Sequence, residues 1–190
     1  LEWTLGFSPT ERETSLNKVI KLIDDAKSPA EVIEKIELPK GSETEAQFLS
    51  ELNDSQLYSV YGGKLAKYVL LRIDKESWEL ENFTGYPGTV TVEHILPRNP
   101  PEGSQWLNQF TEKDRGEWTN KLGNLVLLSG RKNSRAQNYD FDRKKDVYFG
   151  QKGTAFRITQ QLQNIPEWNI EALKNRHQEL IGVAKTLFLG

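Results

Sequence analysis

Residues 89–96 read Thr89-Val90-Thr91-Val92-Glu93-His94-Ile95-Leu96, and residues 122–129 read Leu122-Gly123-Asn124-Leu125-Val126-Leu127-Leu128-Ser129. The first alternates in polarity and is rich in β-branched side chains, which predicts a strand stopped by Pro97. The second is a continuous apolar run interrupted by Gly123 and Asn124, and it predicts a second strand. Residues 131–148 follow with helical character, broken near Tyr139-Asp140-Phe141-Asp142. Between the strands, Arg98 to Ser104 has the composition of a loop, and helical patches surround Trp106 to Phe110 and precede Trp118. Strand, long excursion, strand, helix is therefore the order at the centre of the chain.

On the N-terminal side the period is helical. Leu16, Val19, Ile20 and Ile23 share one face of a helix over residues 9–26, capped by Ser8 or Thr10. A short helix through Val32, Ile33 and Ile36 ends near Pro39-Lys40-Gly41, and residues 43–54 are helical again. From Gly62 or Gly63, Leu65, Tyr68, Val69, Leu70, Leu71 and Ile73 form a broad apolar face. The period changes after Tyr86-Pro87-Gly88. Beyond the centre, an amphipathic helix runs through Ile170, Leu173, Leu180, Ile181 and Ala184. The expected class is α+β. Residues 1–87 form a helical segment packing on a core at residues 88–150, and residues 151–190 form a C-terminal helical segment.

Composition narrows the functions. The chain has no cysteine, which excludes disulfides, a cysteine zinc site and a thiol nucleophile. It has no apolar run of membrane-spanning length and no signal peptide, and a cytoplasmic setting fits. The absence of methionine, with Leu1-Glu2-Trp3 at the start, reads as a piece of a longer protein. The net charge of −2 is unlike that of a general nucleic-acid binder, but the charge is uneven. Residues 131–152, with Arg131, Lys132, Arg135, Arg143, Lys144, Lys145 and Lys152, carry a net +4 and leave −6 elsewhere. Such a cluster is commonly a solvated helix face, so charge alone does not identify a DNA site.

The central segment also holds the residues with useful chemistry. Phosphodiester hydrolysis needs an activated water and a cation beside the phosphate. Histidine is the natural base near neutral pH, and a hard divalent cation takes carboxylate and amide oxygens. Glu93, His94, Asn124, Asn133 and Asn138 supply these groups within one segment.

Glu93-His94-Ile95-Leu96-Pro97, Leu122-Gly123-Asn124-Leu125-Val126-Leu127-Leu128 and Lys132-Asn133 together resemble an HNH nuclease motif. With Asn138, Phe141 and Lys144, and with Trp168, Ile170, Arg176 and Leu180 in the tail, the chain resembles the C-terminal domain of GmrSD-type, modification-dependent restriction enzymes. The resemblance implies a ββα-metal core within a largely helical domain and a metal-dependent DNA endonuclease of a restriction or anti-phage system. His94 would be the general base and Asn124 its catalytic support, orienting His94 or shaping the loop behind it. Glu93 and Asn133 would be metal ligands, and Arg98, Asn138 and Lys144 would contact DNA phosphates. The implied cofactor is a divalent cation, Mg²⁺ or Mn²⁺ in its place. The implied partners are DNA and a sensor or NTPase domain outside this chain, which itself has no GxxxxGK[ST] loop.

Each assignment has a plainer alternative. Asn133 can be a helix cap, Asn138 a turn residue and Lys144 a solvated charge. His177, beside Arg176 and without a motif, is read as a surface or packing residue, and Trp106, Trp118, Phe141 and Trp168 as core. The competing function is a module of HNH-like shape that binds DNA or regulates a partner without cutting.

Overall fold

The structure is a computed structural model that describes residues 8–36, 42–78, 83–86, 88–150 and 153–189. The start Leu1-Glu2-Trp3, the helix end at Pro39-Lys40-Gly41, Pro87 of the expected turn and Lys152 of the basic cluster lie outside the described residues.

The chain divides into two compact units, residues 1–51 and 52–188, with Leu189 grouped with the first and Gly190 with the second. In the first, α1 (Pro9–Asp25) starts at a capping box: Ser8 accepts from Glu11 N, and Glu11 reaches back to Ser8 N at 2.8 Å. Helix α2 (Pro29–Lys35) is capped by Ser28, and neither helix has a buried residue. The expected apolar stripe is present but open, with Leu16 59% and Ile23 54% exposed. Helix α3 (Ser42–Leu52) reaches the boundary between the units.

The second unit is built around two strands. β1 (Val90–His94) pairs antiparallel with β2 (Leu125–Ser129), in the register Val90↔Ser129 to His94↔Leu125. Residues directly opposite share a face and neighbours alternate. Thr91, Glu93, Val126 and Leu128 therefore lie on one face, and Val92, His94, Leu125 and Leu127 on the other. Helix α7 (Gly130–Ala136) follows β2 without a connecting residue and packs against both strands. Helix α4 (Lys64–Glu76) also packs on both strands, and α9 (Arg157–Gln160) packs on β2. All four residues from Leu125 to Leu128 are fully buried, which explains why β2 is apolar throughout rather than alternating.

The excursion contains α5 (Gln105–Gln109) and α6 (Glu112–Trp118), and a tight turn at Leu122–Asn124 leads into β2. Helices α8 (Phe141–Phe149) and α10 (Ile170–Leu189) complete the unit. The core centres on Trp106, Phe110, Val126, Phe141, Tyr148 and Trp168. Trp106, Phe141 and Trp168 take the expected core positions, while Trp118 is only partly buried against it. The change of period near residue 88 lies inside this unit. Helix α9 was not expected from the sequence: its first-turn Ile158 N donates to buried Asp74 Oδ1 at 2.9 Å, a distant cap supplied by α4.

His177 is a packing residue, 3% exposed on α10. Its Nδ1 accepts from Gly123 N at 3.1 Å, and its Nε2 lies 3.0 Å from Asn53 Oδ1. Burial, with Lys121 and Arg176 nearby, holds its pKa down at about 4. Arg176 of the same helix donates to the carbonyls of Gly123 and Leu125, fastening the turn before β2.

Candidate active site at the end of strand β1

β1 ends at His94, and the chain then bends so that Ile95 and Leu96 enter the core. His94 is 9% exposed, and its Nε2 is 3.0 Å from Asn120 Oδ1. The Tyr58 ring meets the imidazole edge to face, with centroids 4.4 Å apart. Burial, opposed by the Asn120 bond and helped by the charges of Arg98 and Lys144, holds the imidazole at a pKa of about 4. It is neutral near pH 7.

Glu93 occupies the opposite face. Lys144 Nζ lies 2.6 Å from Glu93 Oε1 and 2.6 Å from the His94 carbonyl oxygen. Lys144 is fully buried, whereas the family resemblance implies a contact with DNA phosphates and the plainer reading a solvated charge. Its helix explains the difference: Phe141, Lys144 and Tyr148 are the buried residues of α8, spaced as one inward face. Burial raises Glu93 and lowers Lys144, and their attraction opposes both shifts. The fully buried Tyr148 hydroxyl stands beside Glu93, and its pKa is pushed well up, first by burial and then by the Glu93 carboxylate.

Asn133 lies on the Glu93 side. Its Nδ2 donates to Thr91 Oγ1 at 3.1 Å and to Val92 O at 3.0 Å. Both amide hydrogens are thereby engaged, and Oδ1 has no donor among the described residues. Asn133 is the fourth residue of α7, so it does not cap that helix.

Asn124 makes no hydrogen bond to His94. Its Oδ1 accepts from Leu96 N at 2.8 Å and Trp168 Nε1 at 3.3 Å. Its Nδ2 donates to the carbonyls of Leu96 and Thr119, both at 2.8 Å. These bonds tie the Leu96 backbone to the turn before β2, the work of a buried turn amide. Arg98 and Asn138 are exposed. Arg98 lines a groove of about 310 Å³ with Glu112, Arg115, Gly116, Thr119 and Asn120. Asn138 follows Gln137, a non-glycine residue at φ 45° between α7 and α8. Among the described residues, no three His, Asp or Glu side chains cluster as a metal cage.

Asn120 and Tyr58 were missed in the sequence. Tyr58 gave no local signal. For Asn120 the antiparallel order was a clue: with Leu125 opposite His94, the residues just before β2 must pass beyond the end of β1.

The family of GmrSD restriction endonucleases, C-terminal domain, matches residues 43–183. The chain belongs to this family. A GmrSD C-terminal domain is a nuclease-type domain of restriction enzymes, and the match includes β1, β2, α7, α8 and most of α10. No curated protein and no solved structure matches the chain. No helix among the described residues is long and apolar enough to cross a membrane.

Proposed function

We propose that this GmrSD C-terminal domain is an HNH-type, metal-dependent DNA endonuclease in which His94 activates the attacking water. The observation that carries this reading is the division of chemistry across the end of β1. A neutral imidazole stands on one face, and the Glu93 carboxylate with the Asn133 amide oxygen on the other. The order β1, β2, α7 supports a ββα core.

The residues fit a hard divalent cation such as Mg²⁺ by donor type. Glu93 offers carboxylate oxygen, and the engaged amide hydrogens of Asn133 leave its Oδ1 as the available atom. Glu93 and Asn133 would hold the cation, which when bound supplies charge to stabilise the phosphate and the leaving oxygen. His94 takes the proton from water as a neutral base. Lys144 fixes the Glu93 carboxylate and the His94 carbonyl together, so it acts by positioning rather than by touching DNA. Arg98 and Asn138, both exposed, contact flanking phosphates. In the whole protein, acting in the cytoplasm against foreign DNA, another domain senses the target and any modification on it.

One observation favours the non-cleaving alternative: Glu93 is already ion-paired with Lys144, and a cation must share that carboxylate. Cleavage of supercoiled plasmid decides between them. Metal-dependent nicking or linearisation, abolished by EDTA and by His94→Ala, supports the nuclease. Activity retained by His94→Ala refutes the role of His94. Absence of cleavage and of Mn²⁺ binding, with DNA binding retained, supports the non-cleaving module.

A further inference from the structure

The geometry points to Asn120 as the positioning residue that fixes the tautomer of His94, placing the proton on Nε2 and leaving Nδ1 as the basic nitrogen. This rests on His94 being the base, but its decisive test does not require cleavage.

An imidazole flanked by an amide has two solutions. If the amide oxygen faces the ring, that ring nitrogen carries the hydrogen; if the NH₂ faces it, the hydrogen sits on the other nitrogen. The structure has the first, with the amide oxygen facing the ring. Asn120 Nδ2 points to Gln56 Oε1 at 3.4 Å, and the same Gln56 oxygen receives the Ser59 hydroxyl at 3.4 Å. With the amide so placed, its hydrogens face the Gln56 side and its Oδ1 the His94 side, 3.0 Å from Nε2. The backbone holds the arrangement as well, since Tyr58 N donates to Asn120 O at 3.2 Å while the Tyr58 ring lies edge-on to His94.

Near-neutral long-range proton–nitrogen correlation spectra of the isotope-labelled chain read the tautomer directly. The chain has only two histidines, and His177, which does not bond Asn120, is the internal control. The expected wild-type result is a single His94 tautomer with a protected Nε2–H. Asn120→Leu removes the acceptor and should abolish that protection, leaving His177 unchanged, while Asn120→Asp keeps an oxygen and preserves it. In plasmid cleavage, Asn120→Leu should lower kcat roughly 10- to 100-fold at unchanged KM, and Asn120→Asp should restore most of the loss. A wild-type His94 protonated on Nδ1 overturns the inference without any variant. So does a protected Nε2–H that persists in Asn120→Leu, or an Asn120→Asp variant that loses the tautomer as fully as Asn120→Leu. Each of these outcomes leaves the His94→Ala result, and with it the nuclease reading, to stand or fall separately.

Discussion

Replacing Lys144 by methionine distinguishes a buried strut from a phosphate contact. Methionine approximates the length and apolar stem of lysine but carries no charge and no donors. The substitution removes two bonds of 2.6 Å, to Glu93 Oε1 and to the His94 carbonyl, and leaves a carboxylate that is 8% exposed without its counter-ion. Breaking a buried pair from one side costs about 3–5 kcal/mol. For a unit of this size that is a fall in Tm of roughly 10–15 °C. The double variant Glu93→Gln with Lys144→Met removes both charges and should recover most of that loss, which a phosphate-contacting lysine would not predict.

The pH dependence follows from the direction of the Glu93 shift. Burial already raises its carboxyl, and losing Lys144 raises it further. A carboxyl raised in the folded state is more protonated there than in the unfolded chain. The penalty is therefore absent below the usual carboxylate range and grows as pH rises through it. Thermal unfolding followed by circular dichroism at several pH values is the assay. A Lys144→Met variant that melts within about 2 °C of wild type near neutral pH, where more than 10 °C is expected, would falsify the strut.

Three further perturbations test the surroundings. His177 accepts the Gly123 N–H at Nδ1, so protonation breaks that bond; with a folded pKa of about 4 against 6.5, the unfolded chain binds more protons between those values. Stability should fall by about 2 kcal/mol between about pH 8 and about pH 5 on this account, and urea titrations of His177→Gln should show a correspondingly shallower pH slope. A Cβ on Gly123 would lie 2.5 Å from His177 Cβ and 2.8 Å from Leu173 O, so Gly123→Ala should lose about 1–3 kcal/mol by overpacking, read as a drop in urea midpoint. Asn124→Ala strands the buried Leu96 N–H and two carbonyls, and at about 1–3 kcal/mol per unmet group it should unfold the domain or lower its Tm sharply; a melting curve unchanged from wild type would remove Asn124 from the framework.

Local pattern revealed the elements better than their neighbours. The stripes of α1 and α4 and the alternation of β1 show directly in the sequence, because periodicity is a property of consecutive residues. The start of β2 did not: Leu122 to Asn124 form a tight turn instead of strand, since Gly123 lies against α10 and the Asn124 amide turns back to Leu96. Those are contacts with residues far along the chain, which no local window contains. Lys144 illustrates a different failure. Its place between Arg143 and Lys145 suggested a solvated charge cluster, while its spacing from Phe141 and Tyr148 already put it on the inner face of α8. At the candidate site, Glu93, His94 and Asn133 could be named from motif spacing, but the partners that set their chemical state could not. Asn120 reaches His94 only through the pairing of the strands, and Gln56 reaches Asn120 only through the fold.

The excursion between the strands is fastened at its two ends, where Ile95 N meets Asn124 O at 2.9 Å and the Asn124 side chain clasps both polar groups of the Leu96 backbone. Its tip, at exposed Glu102 and Gly103, hangs outside that clasp. A change in length or composition at that exposed turn would leave the Asn124 clasp and the strand pairing of Glu93 and His94 untouched. The frame that holds the end of β1 and the exposed surface of the excursion are thus separable parts of the fold.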